Sequence, residues 1–329
     1  MSKHMKLHLG MIGWGMFLAG ALSLGSCSGD ETLETMEKKA IAFGNVSIKN
    51  GSRAADPSYG DNKLIDGFQV WGTVTGNAGS ANIFNGATVT RGTADYGEPW
   101  TCSETQYWIP TATYNFIAIA NANSVTPTSG MPTAINYTAD GTSDLLLAEP
   151  VLVNTDDMAE PDKDDVNENG CVAFTMTHLL SKVHFTFEDS NGNPVTNTKI
   201  SNIQVIGHYA SGTYTIGATT PWGSQVLAAT TSALSFGGID ANDTEATTSQ
   251  YARLIIPGTQ TWYITFAQNG TTIDEPLILE GETAGTGYTF APNTQYNILV
   301  TVGSNITFTI NSLEAWDNGG EEQNIPLNP

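Results

Sequence analysis

Short apolar runs recur along the chain at intervals typical of β-strands, and helical periodicity is almost absent. In Val183-His184-Phe185-Thr186-Phe187 and in Phe68-Gln69-Val70, every second side chain is apolar, as in strands with one buried face. Similar runs at Tyr114–Ala120, Ile200–Ile206 and Trp262–Phe266 are bounded by Gly, Asn, Asp and Pro. Many short strands without intervening helices predict antiparallel β-sandwiches.

The first thirty residues have the pattern of an export signal. Lys3 and Lys6 precede an apolar run from Met11 to Leu24. A bilayer-spanning helix needs about 20 apolar residues, so this shorter run indicates a secretory signal peptide. The run ends in Leu24-Gly25-Ser26-Cys27, which matches the bacterial lipobox. We therefore predict a signal peptide of residues 1–26 and lipidation, by acyl chains such as palmitate, at Cys27.

Composition and charge restrict the partners and the number of domains. The chain has 329 residues, with 12 Lys and Arg against 33 Asp and Glu. This acidic surface repels phosphate backbones, which argues against a nucleic-acid partner. With 40% hydrophobic residues the chain can fill real cores, and the roughly 275 residues left after processing predict two domains. The turn formers at Glu188–Pro194 place the boundary between residues 54–188 and residues 189–329.

Candidate catalytic or metal-binding residues are sparse. The sequence contains no nucleophile elbow, Walker A, dinucleotide-binding or zinc motif. His178 and His184 have no Cys or acidic ligand in register, so we interpret both as structural. Asp165–Gly170 matches the first half of a calcium loop, but Met176 occupies the position of the bidentate Glu. We therefore predict no enzyme activity, no cofactor and no metal site.

Two cysteines remain besides the lipidation site. Cys102 and Cys171 do not have metal-binding spacing. An oxidising compartment permits a disulfide between them, but burial as two small hydrophobic side chains is the alternative that we favour.

A set of short motifs is spread over nearly the whole chain. Its members are Trp108-Ile109-Pro110 followed by Tyr114–Ala118, then Asp144–Ala148, Phe174–Phe185, Ile306–Ile310 and Trp316–Gly319. In this order they resemble the tryptophan and "Y-x-F-x-A" strand, the "DLLxA" segment, the "F-x-H-x-x-S-K-V-x-F" signature, the closing strand and the "W-x-x-G" tail of Bacteroidetes fimbrillins. Each motif alone is weak, whereas the ordered set is specific. The resemblance implies two tandem transthyretin-like antiparallel β-sandwich domains after the lipoprotein signal peptide.

The resemblance also implies how the chain is processed into a type V pilus subunit. An Arg-specific protease at the cell surface cuts such precursors near the N-terminus and removes the lipid with the first strand. In this chain the cut would fall between Arg53 and Ala54, which makes residues 27–53 a propeptide. The removable strand carries four apolar side chains: Ile41, Phe43, Val46 and Ile48.

A strand from another pilin subunit would then fill the vacated groove by donor-strand exchange. The resemblance places the donor strand in the C-terminal region, residues 305–329. Its apolar residues are Ile306, Phe308, Ile310, Leu313 and Trp316. The alternation does not show whether this end is free or folded into the second domain. A fixed end would suit a tip or accessory subunit that accepts a strand but donates none.

The resemblance predicts that the protein is first a surface-exposed lipoprotein of the outer membrane and then part of a fimbrium that supports adhesion. Ser28–Glu31 resembles the acidic tag that sends Bacteroidetes lipoproteins to the cell surface. A glycan-binding surface lipoprotein remains a competing interpretation, in which Trp71, Trp100 or Trp222 would stack on sugars.

Overall fold

The structure, a computed structural model, describes residues 38–48, 67–90, 100–167, 170–193, 195, 200–239, 252–279 and 282–316. Cys27, Arg53 and Ala54 lie outside these ranges, as does the chain beyond Trp316. Every regular element in the described part is a β-strand, which confirms the all-β prediction. No helix among these residues is long and apolar enough to cross a membrane.

The first half of the chain contributes ten strands in its described part. They are Phe43–Ile48 (β1), Gly67–Gly76 (β2), Gly79–Thr90 (β3), Thr101–Cys102 (β4), Thr113–Ala120 (β5), Ser124–Thr126 (β6), Ala134–Thr138 (β7), Leu146–Ala148 (β8), Val151–Asn154 (β9) and Val172–His178 (β10).

The second half of the chain contributes a further set of strands. They are Ser181–Asp189 (β11), Ile200–Ile206 (β12), Tyr209–Thr215 (β13), Trp222–Leu227 (β14), Leu234–Ile239 (β15), Arg253–Ile255 (β16), Gly258–Gln260 (β17), Trp262–Gln268 (β18), Thr271–Leu277 (β19), Tyr288–Phe290 (β20), Thr294–Val302 (β21) and Ile306–Ala315 (β22).

The first core lies against a sheet with the order β1-β10-β8-β5-β2-β3-β4, in which β9 also pairs with β5. Most neighbours in this sheet are antiparallel. β1 is at one edge and pairs with β10 in parallel, which differs from the purely antiparallel sandwich that we predicted. A parallel pair needs a long connection, and β1 and β10 are separated by most of the first half of the chain.

The central strand β5 is buried on both faces. Tyr114, Phe116 and Ala118 pack in the first core, whereas Ile117 and Ile119 belong to a separate apolar cluster at the junction with the second half. This two-sided burial explains why the segment is a continuous apolar run and not an alternating one.

The second core lies between two four-stranded sheets, with the orders β16-β11-β21-β22 and β15-β12-β18-β19. Val183, Phe185 and Phe187 alternate along β11 into this core, as their spacing predicts. Phe187 meets Phe266 of the opposite sheet with ring centroids 5.2 Å apart. β11 and β21 form a second parallel pair.

The two halves are joined by a shared sheet as well as by the junction cluster. β7 of the first half pairs with β13 of the second, in a sheet with the order β14-β13-β7-β6. From Lys38 onward the chain forms one compact unit. The change from one core to the other comes at Leu179 and Leu180, between β10 and β11. A domain boundary after residue 188 stays a prediction.

Candidate functional site

Residues 39–48, which we call the first-strand segment, form backbone hydrogen bonds to two different parts of the first half. Near its start, Trp108 N–H donates to Lys39 O at 3.0 Å. Further along, Val172 N–H donates to Ala42 O at 2.8 Å, and β1 continues as the parallel partner of β10. The segment therefore lies beside a loop at one end and beside a sheet edge for the rest of its length.

The aromatic ring of Phe43 fills the centre of the first core. Its side chain is 1% exposed. Its ring centroid lies 5.4 Å from Phe84, 5.7 Å from Phe116 and 5.8 Å from Phe174. The contacts with Phe84 and Phe116 are edge-to-face and the contact with Phe174 is stacked. Aromatic pairs at these distances add about 0.5–1.5 kcal/mol each to the effect of burial.

The other apolar residues of the segment support this arrangement. Ile41 is 5% exposed in the same core, and Val46 is half-buried against it. Ile48 ends β1, and its side chain is outside the described part. The sequence-predicted strand residues whose side chains are described thus face one apolar core.

Polar contacts of the segment are few and weak by comparison. Lys39 Nζ lies 2.7 Å from Glu160 Oε2, but both side chains are about half exposed. Such surface ion pairs contribute about 0–1 kcal/mol. The Ser47 and Thr175 hydroxyls are 3.3 Å apart. Attachment therefore depends on apolar burial and on the backbone ladder, both of which another strand of similar pattern can supply.

Removal of the first-strand segment would open a groove with two properties. Its floor is the aromatic cluster of Phe84, Phe116 and Phe174. Its wall is the free edge of β10, whose unpaired N–H and C=O groups can pair with an added strand. Burial of each large apolar side chain in such a groove contributes about 1.5–3 kcal/mol.

The predicted processing residues fall in the connection after this segment. Arg53 and Ala54 lie between the end of β1 at Ile48 and the start of β2 at Gly67. They and Cys27 are outside the described residues, so their geometry is not part of the site as described.

The predicted donor residues are folded into the second half. Ile306, Phe308, Ile310 and Leu313 belong to β22, which pairs with β21 from Thr294 to Val302. A shallow pocket of about 400 Å³ borders its other edge, and a bridge joins Leu279 to Phe308 there. This answers the question left open by the sequence: the C-terminal region is folded at least as far as Trp316, which is 3% exposed.

Three of the motif residues meet at the junction between the halves. The ring of the buried His178 stacks on Trp316, with centroids 3.9 Å apart and planes inclined by 9°. Its Nδ1–H donates to Asp144 Oδ2 at 2.6 Å. Burial raises the pKa of the Asp144 carboxyl, and the hydrogen bond from His178 opposes this rise.

The tryptophans considered for sugar binding are packed into the protein. Trp71 is 3% exposed, Trp100 lies 5.3 Å from the Phe68 ring, and Trp222 donates from Nε1 to Leu179 O at 2.9 Å. None of these three rings forms an open stacking platform.

The cysteines and the acidic loop provide no reactive centre in the part that the structure describes. Cys102 and Cys171 are not joined by a disulfide and are half-buried, and burial raises the pKa of both thiols. Within the described ranges, no group of His, Cys, Asp and Glu is arranged to hold a metal ion.

Comparison with known proteins agrees with this architecture. The fimbrillin-like family model matches residues 52–316. No curated protein matches the chain. A candidate cell adhesion protein from Bacteroides ovatus is 16% identical with a TM-score of 0.53, over 85% of this chain and 98% of the other. One from Bacteroides uniformis is 15% identical with a TM-score of 0.50, over 86% of this chain and 99% of the other. At such identities the likeness concerns the fold alone.

The fold and the site define an all-β protein with two apolar cores, the first of which is closed by a strand at a sheet edge. The chain belongs to the fimbrillin-like family, because the family model covers most of its length.

Proposed function

We propose that this chain is a structural pilus subunit in which a strand from another subunit replaces the first-strand segment. The observation that carries the proposal is the position of Phe43, a fully buried side chain on an edge strand attached by one parallel ladder. Loss of this strand exposes an apolar groove beside an unpaired sheet edge. A donor strand with alternating apolar residues restores both kinds of contact, which is the physical basis of donor-strand exchange.

The proposal includes export through lipidated Cys27 to the outer membrane and cleavage after Arg53 by an Arg-specific protease. In the sequence Arg53 falls between the end of β1 at Ile48 and the start of β2 at Gly67, so a cut there would separate the first-strand segment from the body. Arg253, in contrast, lies in β16 and donates from Nε to Ser235 O at 2.6 Å. Proteases cut paired strands less readily than exposed chain, which argues against Arg253 as the processing site.

In this scheme the mature subunit begins at Ala54 and leaves the lipid behind. Its partners are other pilin subunits, and its final location is a surface fimbrium that supports adhesion. The acidic surface, with net charge −21 for the whole chain, suits contact with other proteins or with cations more than contact with nucleic acid.

The C-terminal region, residues 305–329, is the proposed source of the donor. Residues of β22 would have to leave β21 in order to donate. A tip or accessory subunit that accepts a strand but donates none is the second candidate. The pairing of β22 along the whole of β21 favours it, because a paired strand is not free to enter another subunit.

The test is to treat purified precursor with an Arg-specific protease and to analyse the products by mass spectrometry and gel electrophoresis. We expect a new N-terminus at Ala54 and a ladder of oligomers. Arg53→Lys should stay an intact monomer, and the matched control Arg253→Lys should behave like the wild type. A cut at another position, with no ladder, contradicts the proposal. Cut protein that stays monomeric but takes up a synthetic peptide of residues 38–48 supports the accessory subunit.

A further inference from the structure

We propose that Asp144, His178 and Trp316 form a clasp that transmits tension directly between the C-terminal end of β22 and the acceptor strand β10, so that the ladder between β22 and β21 is relieved of it. The inference rests on the proposed function only for the source of the tension. In a pilus built as proposed, tension would enter each subunit at its groove and leave through its C-terminal segment.

The clasp is built from residues that are far apart in the sequence and in contact in the fold. His178 is completely buried. Its ring contacts the Asp144 carboxylate at its edge and the Trp316 indole on one face. Asp144, with a side chain 17% exposed, accepts the hydrogen bond that orients the ring. The Nζ atom of Lys182 lies 6.0 Å from the centroid of the Trp316 ring, at the distance of a cation–π contact.

The position of the clasp defines a short mechanical path. His178 is the last residue of β10, the strand that holds β1 in this structure and would hold a donor strand in a polymer. Trp316 directly follows the last residue of β22, Ala315. Both residues pack within or against the apolar junction cluster that includes Leu179 and Ile256. A pull on Trp316 therefore reaches β10 through the stack on His178, in parallel with the hydrogen bond from Trp316 N–H to Asn293 O.

Without the clasp, the same tension would load the hydrogen bonds between β22 and β21. β22 is antiparallel to β21, and tension on its C-terminal end would break the ladder one bond at a time from Ala315. The first-strand segment has the opposite geometry. β1 and β10 are parallel, so tension between Phe43 at one end and His178 at the other loads all ladder bonds together. The clasp thus directs tension away from the β21–β22 ladder, which breaks one bond at a time, and into the β1–β10 ladder, whose bonds share the load.

The experiment is single-molecule pulling on the uncut full chain, tethered through Cys27 and a C-terminal tag, with Cys102 and Cys171 replaced by Ser. In Trp316→Ala we expect a new early step of about 34 Å, because the ten residues of β22 each release about 3.4 Å of strand. The wild type should lack this step. Trp316→Phe, which keeps a ring for stacking, should restore the wild-type trace.

A matched control separates the clasp from general stability. Trp262 is 2% exposed and stacks on Phe290 in the second core, with centroids 4.7 Å apart. Trp262→Ala should lower the urea midpoint without adding the early step. His178→Ala, which leaves Trp316 in place, is the second test variant and should add it.

Identical first steps in the wild type, Trp316→Ala and His178→Ala overturn the proposal, as does an early step of the same size in Trp262→Ala. Because the traces come from uncut monomers, a failure of cleavage at Arg53 or of polymerisation would leave them unaffected. A negative trace, in turn, would leave the proposed function standing.

Discussion

Substitution of Phe43 by Ala tests the energetic role of the first-strand segment. Phe43 is 1% exposed and contacts three other rings, so its loss removes both burial and aromatic contacts. Phe→Ala substitutions in cores cost about 3–5 kcal/mol. Since β1 is at a sheet edge where the site can partly collapse, we expect the lower end of this range, about 3 kcal/mol. This corresponds to about 100-fold in an opening equilibrium, at tenfold per 1.4 kcal/mol.

The assay is native-state hydrogen exchange of the precursor, read from peptides that cover β10. Phe43→Ala should speed exchange of these amides by about 100-fold, because β10 loses the partner that protects its edge. Ser47→Ala is the matched control on the same strand, and its exposed hydroxyl contact should change the rate by less than about threefold. An effect of Phe43→Ala below about tenfold would mean instead that β1 contributes little to closing the core. If cleavage at Arg53 occurs as proposed, the cut wild type and cut variant should exchange identically.

Three further substitutions test individual parts of the fold by urea unfolding. Gly207 has φ +92°, and a Cβ there would lie 2.2 Å from Thr261 O, so Gly207→Ala should destabilise by about 2–4 kcal/mol. Partial burial tends to raise the pKa of Asp140, but hydrogen bonds, chiefly from Ser143, outweigh it and hold this pKa below its usual value. The ionised carboxylate therefore stabilises the fold above about pH 4, and this effect is lost as the pH falls through the lowered pKa. Asp140→Ala should have a lower free energy of unfolding than the wild type at pH 7, and the two values should converge in acid. Burial raises the pKa of Tyr288 to about 12, so the folded state keeps a proton that the unfolded state loses between about pH 10 and 12. Stability should fall across that window, and less steeply in Tyr288→Phe.

Local patterns account for the strands but not for all of their pairings. The alternation of Val183, Phe185 and Phe187 predicts one buried face, and the second core confirms it. The parallel pairing of β1 with β10 and the pairing of β7 with β13 join segments far apart in the chain, which periodicity cannot reveal. The turn formers from Glu188 onward coincide with the end of β11, and the next strand, β12, belongs to the opposite sheet of the second core.

The sequence predicts the apolar residues of the first-strand segment but not the side chains that they contact. Ile41 and Phe43 follow from the apolar pattern before Arg53, whereas Phe84 was missed because its only signal is an apolar position in an ordinary strand. Motif order suggested that His178 and Trp316 matter to the fold, but their stacking depends on the tertiary structure.

The C-terminal strand shows a more general limit. Alternation in Ile306, Phe308 and Ile310 fits a strand in its own sheet as well as a strand donated to another subunit. Both situations bury one face of the strand, so they require the same pattern. In the structure these residues pair with β21 of the same chain.

The central claim, that the first-strand segment must leave before subunits join, is tested most directly by locking that segment in place. Ser47 is paired with Thr175 across β1 and β10, and their hydroxyls are 3.3 Å apart, so a disulfide can bridge these positions. The double variant Ser47→Cys/Thr175→Cys, with Cys102 and Cys171 replaced by Ser, would be oxidised and then cut by the Arg-specific protease. We predict that the cut, oxidised protein stays monomeric and forms the oligomer ladder only after a reductant is added. An oligomer ladder that forms equally well with the disulfide intact would contradict the account.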